Sequence, residues 1–323
     1  MTVFDYYTIE TEVTNICNAN CVFCVNKSLS RSRGFINVEA FQKFIETQSK
    51  LVENNIFKLH TKGKYPRVTF CGLGEPLLHP QINELVKTAH DNGFFTQLVT
   101  NGALLSPKIV QGLCENHLDE LAISLHSVNS LNYKQITGLP LDVTLQSIEN
   151  SIDALKSYNL KTSFWRIRHP QDKYADTVAD ENKYQELLRT WNLPNCTVLG
   201  PSNPWSRDGV VPNSKCQKVC DSVFWCNKIY FTFNIDWQGN VILCCTDYNR
   251  ETINLGNVFS SSFDYDKLFK RKLNILSKKE IPEICKNCRR WEDTEIFDIL
   301  SDAQIEMDHL KKHINHTIKS KEY

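Results

Sequence analysis

TNICNANCVFCVNK, residues 14–27, carries Cys17, Cys21 and Cys24 in the spacing Cys-x₃-Cys-x₂-Cys. A structural zinc site normally takes four protein ligands, and the next Cys or His along the chain is His60. A [4Fe–4S] cluster has four irons, so three thiolates can hold three of them and leave the fourth open to another ligand. The spacing therefore favours an iron–sulfur cluster with a chemical role over a structural zinc ion.

Composition limits the class of protein. The 323 residues include 37 basic and 37 acidic side chains, so no net charge indicates nucleic acid or an anionic membrane as a partner. No apolar run approaches the roughly 20 residues of a membrane span, and the N-terminus lacks the pattern of a signal peptide. We therefore expect a cytoplasmic protein without nucleic-acid or membrane partners, whose clustered cysteines bind metal rather than form disulfides.

Up to about residue 200, β-branched or aromatic runs alternate with helical periodicity. Six strands are predicted, from YYTIETEV at residues 6–13 to CTVLG at residues 196–200, with a helix between each strand and the next. Asn37 and Ser106 are the predicted N-caps of two of these helices, and Gly93 closes another. Such βα units predict a parallel sheet, and periodicity alone leaves open whether the sheet closes into a barrel.

Four segments with chemical potential each follow a predicted strand: the cysteine loop, GLGEP (72–76), TNG (100–102) and SLH (124–126). The carboxyl ends of parallel strands meet at one edge of a sheet or barrel. We therefore expect these four segments to converge on one mouth.

The run Cys17-Asn-Ala-Asn-Cys21-Val-Phe-Cys24, preceded by IETEVT (9–14), resembles the cluster loop of radical S-adenosylmethionine (SAM) enzymes. In that family SAM occupies the open iron, and reductive cleavage of SAM yields a 5′-deoxyadenosyl radical that abstracts a hydrogen atom from the substrate. The resemblance implies a partial (β/α)₆ TIM-like barrel and a flavodoxin- or ferredoxin-type electron donor.

GLGEP resembles the family's Gly-Gly-Glu-Pro segment, which receives the SAM amino group, with Leu73 in place of one glycine. A loop of small residues that permits a tight turn is the alternative for this segment taken alone. Ser124 and His126 stand where the family places groups for the SAM ribose and carboxylate. The cofactor-binding residues that the resemblance implies are Phe23, Gly72, Gly74, Glu75, Asn101, Ser124, His126 and Arg166.

Polar residues also end the fifth predicted strand, in FWRIRHP (164–170). Arg166 and Arg168 share one face of that strand, and an arginine there could bind the SAM carboxylate or an anionic substrate group. His169 could act as a general base, although a loop histidine is more often polar surface. Arg168 and His169 are predicted catalytic residues.

A second group of cysteines occupies residues 216–288. KIYFTFNIDWQGNVILCC (228–245) predicts a hairpin that turns at Gln238-Gly239-Asn240, so its open end brings together Cys226 and the Cys244–Cys245 pair. ICKNC adds Cys285 and Cys288. Taken alone, four such thiolates would more often form a closed Cys₄ zinc site than hold a cluster.

The same pattern is similar to SPASM, the auxiliary-cluster extension of radical SAM enzymes, in its shortened twitch form. Thr294 and Asp298 stand where the full form continues with cysteines. The resemblance implies a second [4Fe–4S] cluster that is ligated by Cys226, Cys244, Cys285 and Cys288. Cys245 is then either a packed small residue or a catalytic hydrogen-atom donor, and Cys216 and Cys220 are expected to support the domain.

The predicted domains are a radical SAM barrel (1–205), a twitch-like auxiliary domain (206–295) and a helical tail (296–323). The predicted function is a radical SAM oxidoreductase that dehydrogenates a small hydroxylated molecule, sugar or aminocyclitol-like, through the auxiliary cluster. The alternative is a maturase that epimerises or cross-links a ribosomally made peptide. Only 16 residues precede Cys17, too few for a leader-peptide domain, which favours the small substrate. A non-catalytic iron–sulfur or zinc regulator is disfavoured by the SAM-like loops.

Overall fold

The computed structural model describes most of the N-terminal two thirds of the chain and part of the remainder. The described residues are 8–54, 66–167, 178–202, 232–244 and 254–276, with Ile229, Asp247, Asn249 and Pro282. Several predicted residues lie outside this set, namely Arg168, His169, Cys216, Cys220, Cys226, Cys245, Cys285, Cys288 and the tail from residue 296.

The described strands form one sheet. They are β1 (Thr8–Glu12), β2 (Arg67–Cys71), β3 (Phe95–Thr100), β4 (Glu120–Ser124), β5 (Lys161–Ile167), β6 (Cys196–Ser202), β7 (Thr232–Ile235) and β8 (Val241–Ile242). Their spatial order is β6-β5-β4-β3-β2-β1-β7-β8, and every neighbouring pair is parallel except β7–β8. The predicted α/β fold is thus confirmed. Among the described strands, β1 lies beside β7 and not beside β6, so the six predicted barrel strands do not close into a ring.

Among the described residues, six helices lie between consecutive strands from β1 to β6, and a seventh follows the hairpin. They are α1 (Val38–Asn54), α2 (Ile82–Asp91), α3 (Pro107–Glu115), α4 (Ser130–Thr137), α5 (Leu141–Ser157), α6 (Val178–Trp191) and α7 (Tyr265–Leu276). The predicted caps are present: Asn37 Oδ1 accepts from Ala40 N at 2.8 Å, and Ser106 Oγ accepts from Ile109 N at 3.3 Å. Within the described part of the chain, none of these helices has the length and hydrophobicity that crossing a bilayer requires.

One face of the sheet, here called the outer face, packs against helices through aromatic pairs. Phe70 on β2 lies 6.0 Å from Phe41 of α1, and Phe164 on β5 lies 5.5 Å from Trp191 of α6, between ring centroids. Burying such large apolar side chains on one face is the main source of stability for a sheet covered by helices.

The opposite face, here called the inner face, is polar. Register places Thr69, Gln97 and Glu120 side by side on β2, β3 and β4. Gln97 Nε2 donates to Glu120 Oε1 at 2.9 Å, and Thr69 Oγ1 donates to Gln97 Oε1 at 3.2 Å. A packed barrel interior is dominated by Val, Ile and Leu, so this hydrogen-bonded row is suited to polar contents.

The predicted hairpin is confirmed as β7 and β8, and its place in the sheet was not predicted. Asp236 Oδ1 accepts from Gln238 N and Asn240 N, both at 2.9 Å, and Gly239 has φ +83°. Because β7 pairs with β1 in parallel, the hairpin extends the same sheet that carries the cysteine loop. The proposed domain boundaries stay a prediction.

Candidate active site

The cysteine loop begins directly after β1, and its three thiols are half-buried. Cys17 Sγ accepts from Ala19 N and Cys24 Sγ accepts from Asn26 N, each at 3.4 Å. Cys24 N also donates to Cys21 O at 3.0 Å, which fixes the turn between the second and third cysteines. A 3₁₀ turn, Val25–Ser28, follows at once. Backbone N–H groups directed at sulfur are suited to thiolates.

The three thiols influence one another electrostatically. Burial is the main cause that raises the pKa of each thiol, and for Cys21, whose pKa is about 12, Cys24 and Cys17 add to it. Metal coordination reverses this rise in pKa, because a thiol that coordinates a metal is deprotonated outright. Among the described residues, no three Cys, His, Asp or Glu side chains surround one point as a single ion needs. A [4Fe–4S] cluster binds each thiolate to a different iron, so this donor set fits a cluster.

Hydrogen bonds hold the cysteine loop to neighbouring elements. On one side, Asn20 N donates to Thr137 O at 2.8 Å and Val22 N donates to Ile136 O at 2.9 Å, at the end of α4. On the other side, Asn26 Nδ2 donates to Asn15 O at 3.0 Å and also to Leu73 O. Helix α4 was not predicted, because it is short and has weak periodicity.

GLGEP lies against the cysteine loop at a distance that requires glycine. A Cβ on Gly74 would overlap Thr14 O and lie 2.7 Å from Ile16 O. Gly72 has φ +117°, and its Cβ would lie 2.8 Å from that of Glu12. The two glycines that GLGEP retains therefore bring its backbone onto the end of β1.

Glu75 joins GLGEP to TNG. Its carboxylate is 2% exposed and accepts from Thr100 Oγ1 at 2.7 Å, Asn101 N at 2.8 Å and Leu77 N at 3.1 Å. Burial raises the pKa of Glu75 to about 6, although all three hydrogen bonds lower it. These contacts give Glu75 a linking role within the site, and its contact with the SAM amino group stays a prediction.

Asn101 completes the connection between TNG and the cysteine loop. Its Nδ2 donates to Asn18 Oδ1 at 2.7 Å, and its Oδ1 accepts from Ala103 N at 3.0 Å. The structure therefore brings the cysteine loop, GLGEP and TNG together at the carboxyl edge of the sheet. Cofactor binding by Asn101 stays a prediction.

SLH is the fourth predicted segment, and it also reaches the cysteine loop. His126 is buried, its ring packs edge-on to Phe23 at 5.2 Å between centroids, and its Nδ1 accepts from Ile167 N at 3.3 Å. Burial, reinforced by the charge of Arg166, lowers the pKa of His126 to about 4, so the ring is neutral at pH 7. With Nδ1 accepting, Nε2 carries the proton and is the donor. Ser124, half-buried at the end of β4, pairs in register with Trp165.

Arg166 belongs to the outer face. Its guanidinium lies 4.0 Å from the ring centroid of Tyr184, and it forms an ion pair with Glu181, both on α6. Its side chain is 1% exposed. Because neighbouring residues on a strand point to opposite faces, Trp165 is the residue that faces inward. The described contacts therefore place Arg166 in the helix layer, and its role as a SAM or substrate ligand stays a prediction.

Sequence reasoning did not single out Trp165 and Ser163, which the structure places on the inner face near the mouth. Trp165 Nε1 donates to Ser163 Oγ at 3.1 Å, and Ser163 Oγ donates to Glu120 Oε1 at 3.0 Å. The alternation of the fifth strand contained the signal, because Phe164 and Arg166 share one face and Ser163 and Trp165 share the other.

Cys244 is the predicted auxiliary-cluster ligand that the structure describes. It is half-buried, lies two residues beyond β8, and its carbonyl accepts from Asp247 N at 3.0 Å. The other three predicted ligands and Cys245 lie outside the described residues. Ligation by Cys244 stays a prediction.

Comparison with known families agrees with both cysteine patterns. The family model of the radical SAM superfamily matches residues 11–167, and SPASM, described as an iron–sulfur cluster-binding domain, matches residues 226–289. The two matches together cover more than half of the chain. The chain therefore belongs to the radical SAM superfamily and carries a SPASM iron–sulfur domain. Its cofactors are [4Fe–4S] clusters and SAM.

Curated relatives resemble part of the chain. The AdoMet-dependent heme synthase of Methanosarcina barkeri (strain Fusaro / DSM 804) is 31% identical over 144 residues, which are 44% of this chain and 38% of the relative. An S-adenosylmethionine-dependent nucleotide dehydratase of Selenomonas ruminantium is 31% identical over 124 residues, 38% of this chain and 40% of the relative. The matched segments thus span less than half the length of these relatives.

Solved structures share the fold over most of the chain. BtrN, in complex with AdoMet and 2-DOIA, is 17% identical with a TM-score of 0.55, over 88% of this chain and 94% of BtrN. Native anSMEcpe with bound AdoMet is 15% identical with a TM-score of 0.59, over 95% of this chain and 99% of that protein. At these identities the similarity establishes the fold alone.

Proposed function

We propose that this radical SAM enzyme is a dehydrogenase of a small hydroxylated molecule, sugar or aminocyclitol-like. The polar inner face of the sheet is the observation that carries the proposal. It offers hydroxyl and amide groups along β2 to β5, where a packed barrel would offer aliphatic side chains. Polar groups arranged in a cleft select hydroxyl-bearing ligands, because an unmatched buried polar group is costly.

The inner face is a fixed surface rather than a set of mobile side chains. Glu120 accepts from Gln97, Ser163 and Lys161, at 2.9, 3.0 and 2.8 Å. Burial alone would raise the pKa of Glu120, but the bond and charge of Lys161 and the bonds from Gln97 and Ser163 lower it overall. The carboxylate therefore stays ionised and anchors Ser163, which in turn holds the indole of Trp165 through its Nε1 hydrogen bond.

The candidate site residues have assigned tasks in this proposal. Cys17, Cys21 and Cys24 hold the SAM-binding cluster, and the auxiliary cluster is held by Cys226, Cys244, Cys285 and Cys288. When bound, these groups and SAM supply a hydrogen-abstracting radical and an electron acceptor. Neutral His126 presents an N–H donor at Nε2 beside Phe23, and Asn101 orients the cysteine loop through Asn18. His169 is the proposed base for the proton that leaves the substrate.

Peptide maturation is the second candidate. The PqqA peptide cyclase of Granulibacter bethesdensis is 24% identical over 40% of this chain, and anSMEcpe has been solved with a bound Cp18Cys peptide. Epimerisation would require a hydrogen-atom donor, for which Cys245 is the candidate. The two functions differ in where hydrogen atoms and electrons go, so isotopes separate them.

The test uses anaerobically reconstituted protein with SAM, a reductant, and deuterated sugars, aminocyclitols and peptides. A dehydrogenase removes one hydrogen atom, one proton and one electron. We expect an unlabelled sugar or aminocyclitol to give a product about two mass units lighter, and a substrate deuterated at the attacked carbon to transfer its deuterium to 5′-deoxyadenosine. In D₂O, no solvent deuterium should be fixed at that carbon. A peptide product of unchanged mass apart from one solvent deuterium, formed only when Cys245 is present, would establish the epimerase instead.

A further variant tests the electron acceptor. The double substitution Cys285→Ala and Cys288→Ala should leave SAM cleavage intact and abolish release of oxidised product, because the substrate electron has lost its acceptor. Cys114→Ala, a half-buried cysteine on α3, is the matched control and should keep both activities. Oxidised product from the double variant would contradict the proposal.

A further inference from the structure

Residues 28–34, here called the strap, carry the chain away from the cysteine loop, and Trp237 of the hairpin turn packs on them. A Cβ on Gly34 would lie 2.6–2.9 Å from three indole carbons of Trp237, so the glycine lets the ring pack directly on the strap backbone. Trp237 Nε1 also donates to Ser32 O at 3.3 Å. The hairpin turn therefore contacts the strap through both packing and a hydrogen bond.

Asn249 binds the other end of the strap. Its Oδ1 accepts from Ser30 N at 3.1 Å, and its Nδ2 donates to Ser28 O at 3.3 Å. In sequence, Trp237 and Asn249 stand on either side of Cys244, the predicted auxiliary-cluster ligand. Two segments that flank this cysteine thus hold the segment that follows Cys24.

The strap is in turn fixed to the base of the cysteine loop. Arg31 pairs with Glu12 through two bonds, Nη1–Oε1 at 2.6 Å and Nη2–Oε2 at 2.5 Å, and both side chains are 3% exposed. Arg33 donates through Nη2 to Asn26 O at 2.7 Å and through Nη1 to Asn26 Oδ1 at 2.8 Å. Asn26 donates its own N–H to Cys24 Sγ. A displacement of the strap therefore reaches the third cysteine through two residues.

We propose that Trp237 and Asn249 are positioning residues for the SAM-binding cluster: the SPASM domain holds the strap, and the strap holds the loop that bears Cys24. Groups beyond the direct ligands commonly tune a metal site by 10–100-fold. The proposal rests on the assignment of Cys17, Cys21 and Cys24 to the cluster and is independent of the substrate.

Gly34→Ala and Asn249→Ala test the proposal in the reconstituted, full-length protein. The first inserts a methyl group into the indole contact, and the second removes both bonds to the strap. We expect faster hydrogen–deuterium exchange in residues 28–34, about 10-fold weaker SAM binding, and an altered EPR spectrum of the reduced, SAM-bound cluster, with iron content unchanged. Gly112→Ala on α3, whose Cβ would meet the flexible end of Asn83, is the matched control and should leave all readouts unchanged.

Trp237→Phe gives a milder version of the same test. It retains an aromatic ring over Gly34 and loses the hydrogen bond to Ser32, so its effect on SAM binding should be smaller than that of Gly34→Ala. Unchanged strap exchange in Asn249→Ala would overturn the proposal. So would faster exchange with unchanged SAM binding and an unchanged EPR spectrum. Because these readouts involve no substrate, they are separate from the dehydrogenase hypothesis.

Discussion

The two cysteine regions of this protein are built differently. Cys17, Cys21 and Cys24 lie on one loop, and hydrogen bonds join that loop to α4, GLGEP and TNG. The predicted ligands of the SPASM domain are spread from residue 226 to residue 288, and the described one, Cys244, follows a two-residue strand. A local ligand set can be positioned by its own loop, whereas a dispersed set depends on how distant segments fold together.

Strand β1 connects the two regions. It pairs with β2 on one side and with β7 on the other, and its last residue, Glu12, forms the buried pair with Arg31 of the strap. The backbone of Trp237 also donates a hydrogen bond to Glu12. The regions are therefore distinct in their ligands and mechanically joined at the end of one strand.

The largest expected effect comes from removing the first cysteine set. Substitution of Cys17, Cys21 and Cys24 together by Ala should abolish SAM cleavage, because no thiolate then holds the irons of the SAM-binding cluster. About four of roughly eight irons should remain, in the auxiliary cluster. Iron analysis and 5′-deoxyadenosine detection by mass spectrometry check both. Retained SAM cleavage would place the SAM site elsewhere.

The second region is tested by separating Cys244 from Cys245. The spacing from Gly239 selects Cys244 as the ligand, so Cys245 is predicted to stand outside the cluster. We expect Cys244→Ala to lose about four irons and Cys245→Ala to keep them, measured by iron analysis of reconstituted protein. The reverse pattern would make Cys245 the ligand.

The buried Arg31–Glu12 ion pair, which lies where the two cysteine regions meet, should contribute to the free energy of unfolding. Arg31→Met leaves Glu12 buried without its partner, which typically costs about 3–5 kcal/mol in the free energy of unfolding. The double variant Arg31→Met with Glu12→Gln should recover much of this loss. Lys87→Met, which breaks the exposed Lys87–Asp91 pair, is the control and should cost less than about 1 kcal/mol. Urea denaturation measures each value, and equal losses in Arg31→Met and Lys87→Met would contradict the account.

The smallest expected effect is a pH dependence confined to the first region. Burial in the folded protein lowers the pKa of His126 to about 4. In the unfolded chain this histidine takes up a proton near pH 6.5, whereas in the folded protein its ring stays neutral down to about pH 4. Its contribution to stability is complete above pH 6.5 and is lost as the pH falls to 4, by about 3 kcal/mol. His126→Gln should remove this dependence.

Unfolding by urea at several pH values measures the effect as the difference between His126→Gln and the parent protein. That difference is needed because Glu75 acts in the opposite sense. Its pKa is raised to about 6, so its contribution is present below pH 4.5 and is lost as the pH rises through 6. Identical pH profiles for the two proteins would show that His126 is not held neutral.

Local signals in the sequence were sufficient for most of the fold. Alternating strand and helix patterns located β1 to β6, and caps such as Asn37 and Ser106 marked helix starts, because these depend on neighbouring residues alone. The sequence also located the hairpin from its turn. It could not show that β7 lies beside β1, because strand pairing across more than 200 residues leaves no local pattern.

Prediction of the candidate site was limited in the same way, because contacts between distant segments leave no local pattern in the sequence. Sequence placed the four loops at one edge, and the structure brings them together through Glu75, Asn101 and Phe23. The sequence did not reveal that Arg166 pairs with Glu181, or that Trp237 packs on Gly34. Each of these contacts joins segments that come together only through tertiary packing.

The central claim is that the chain holds two [4Fe–4S] clusters, one on each cysteine region. Iron, acid-labile sulfide and zinc content of the anaerobically reconstituted full-length protein tests it most directly. We expect about eight irons and about eight sulfides per chain, with no zinc. About four irons with one zinc per chain would contradict it, because the second region would then be a closed Cys₄ zinc site.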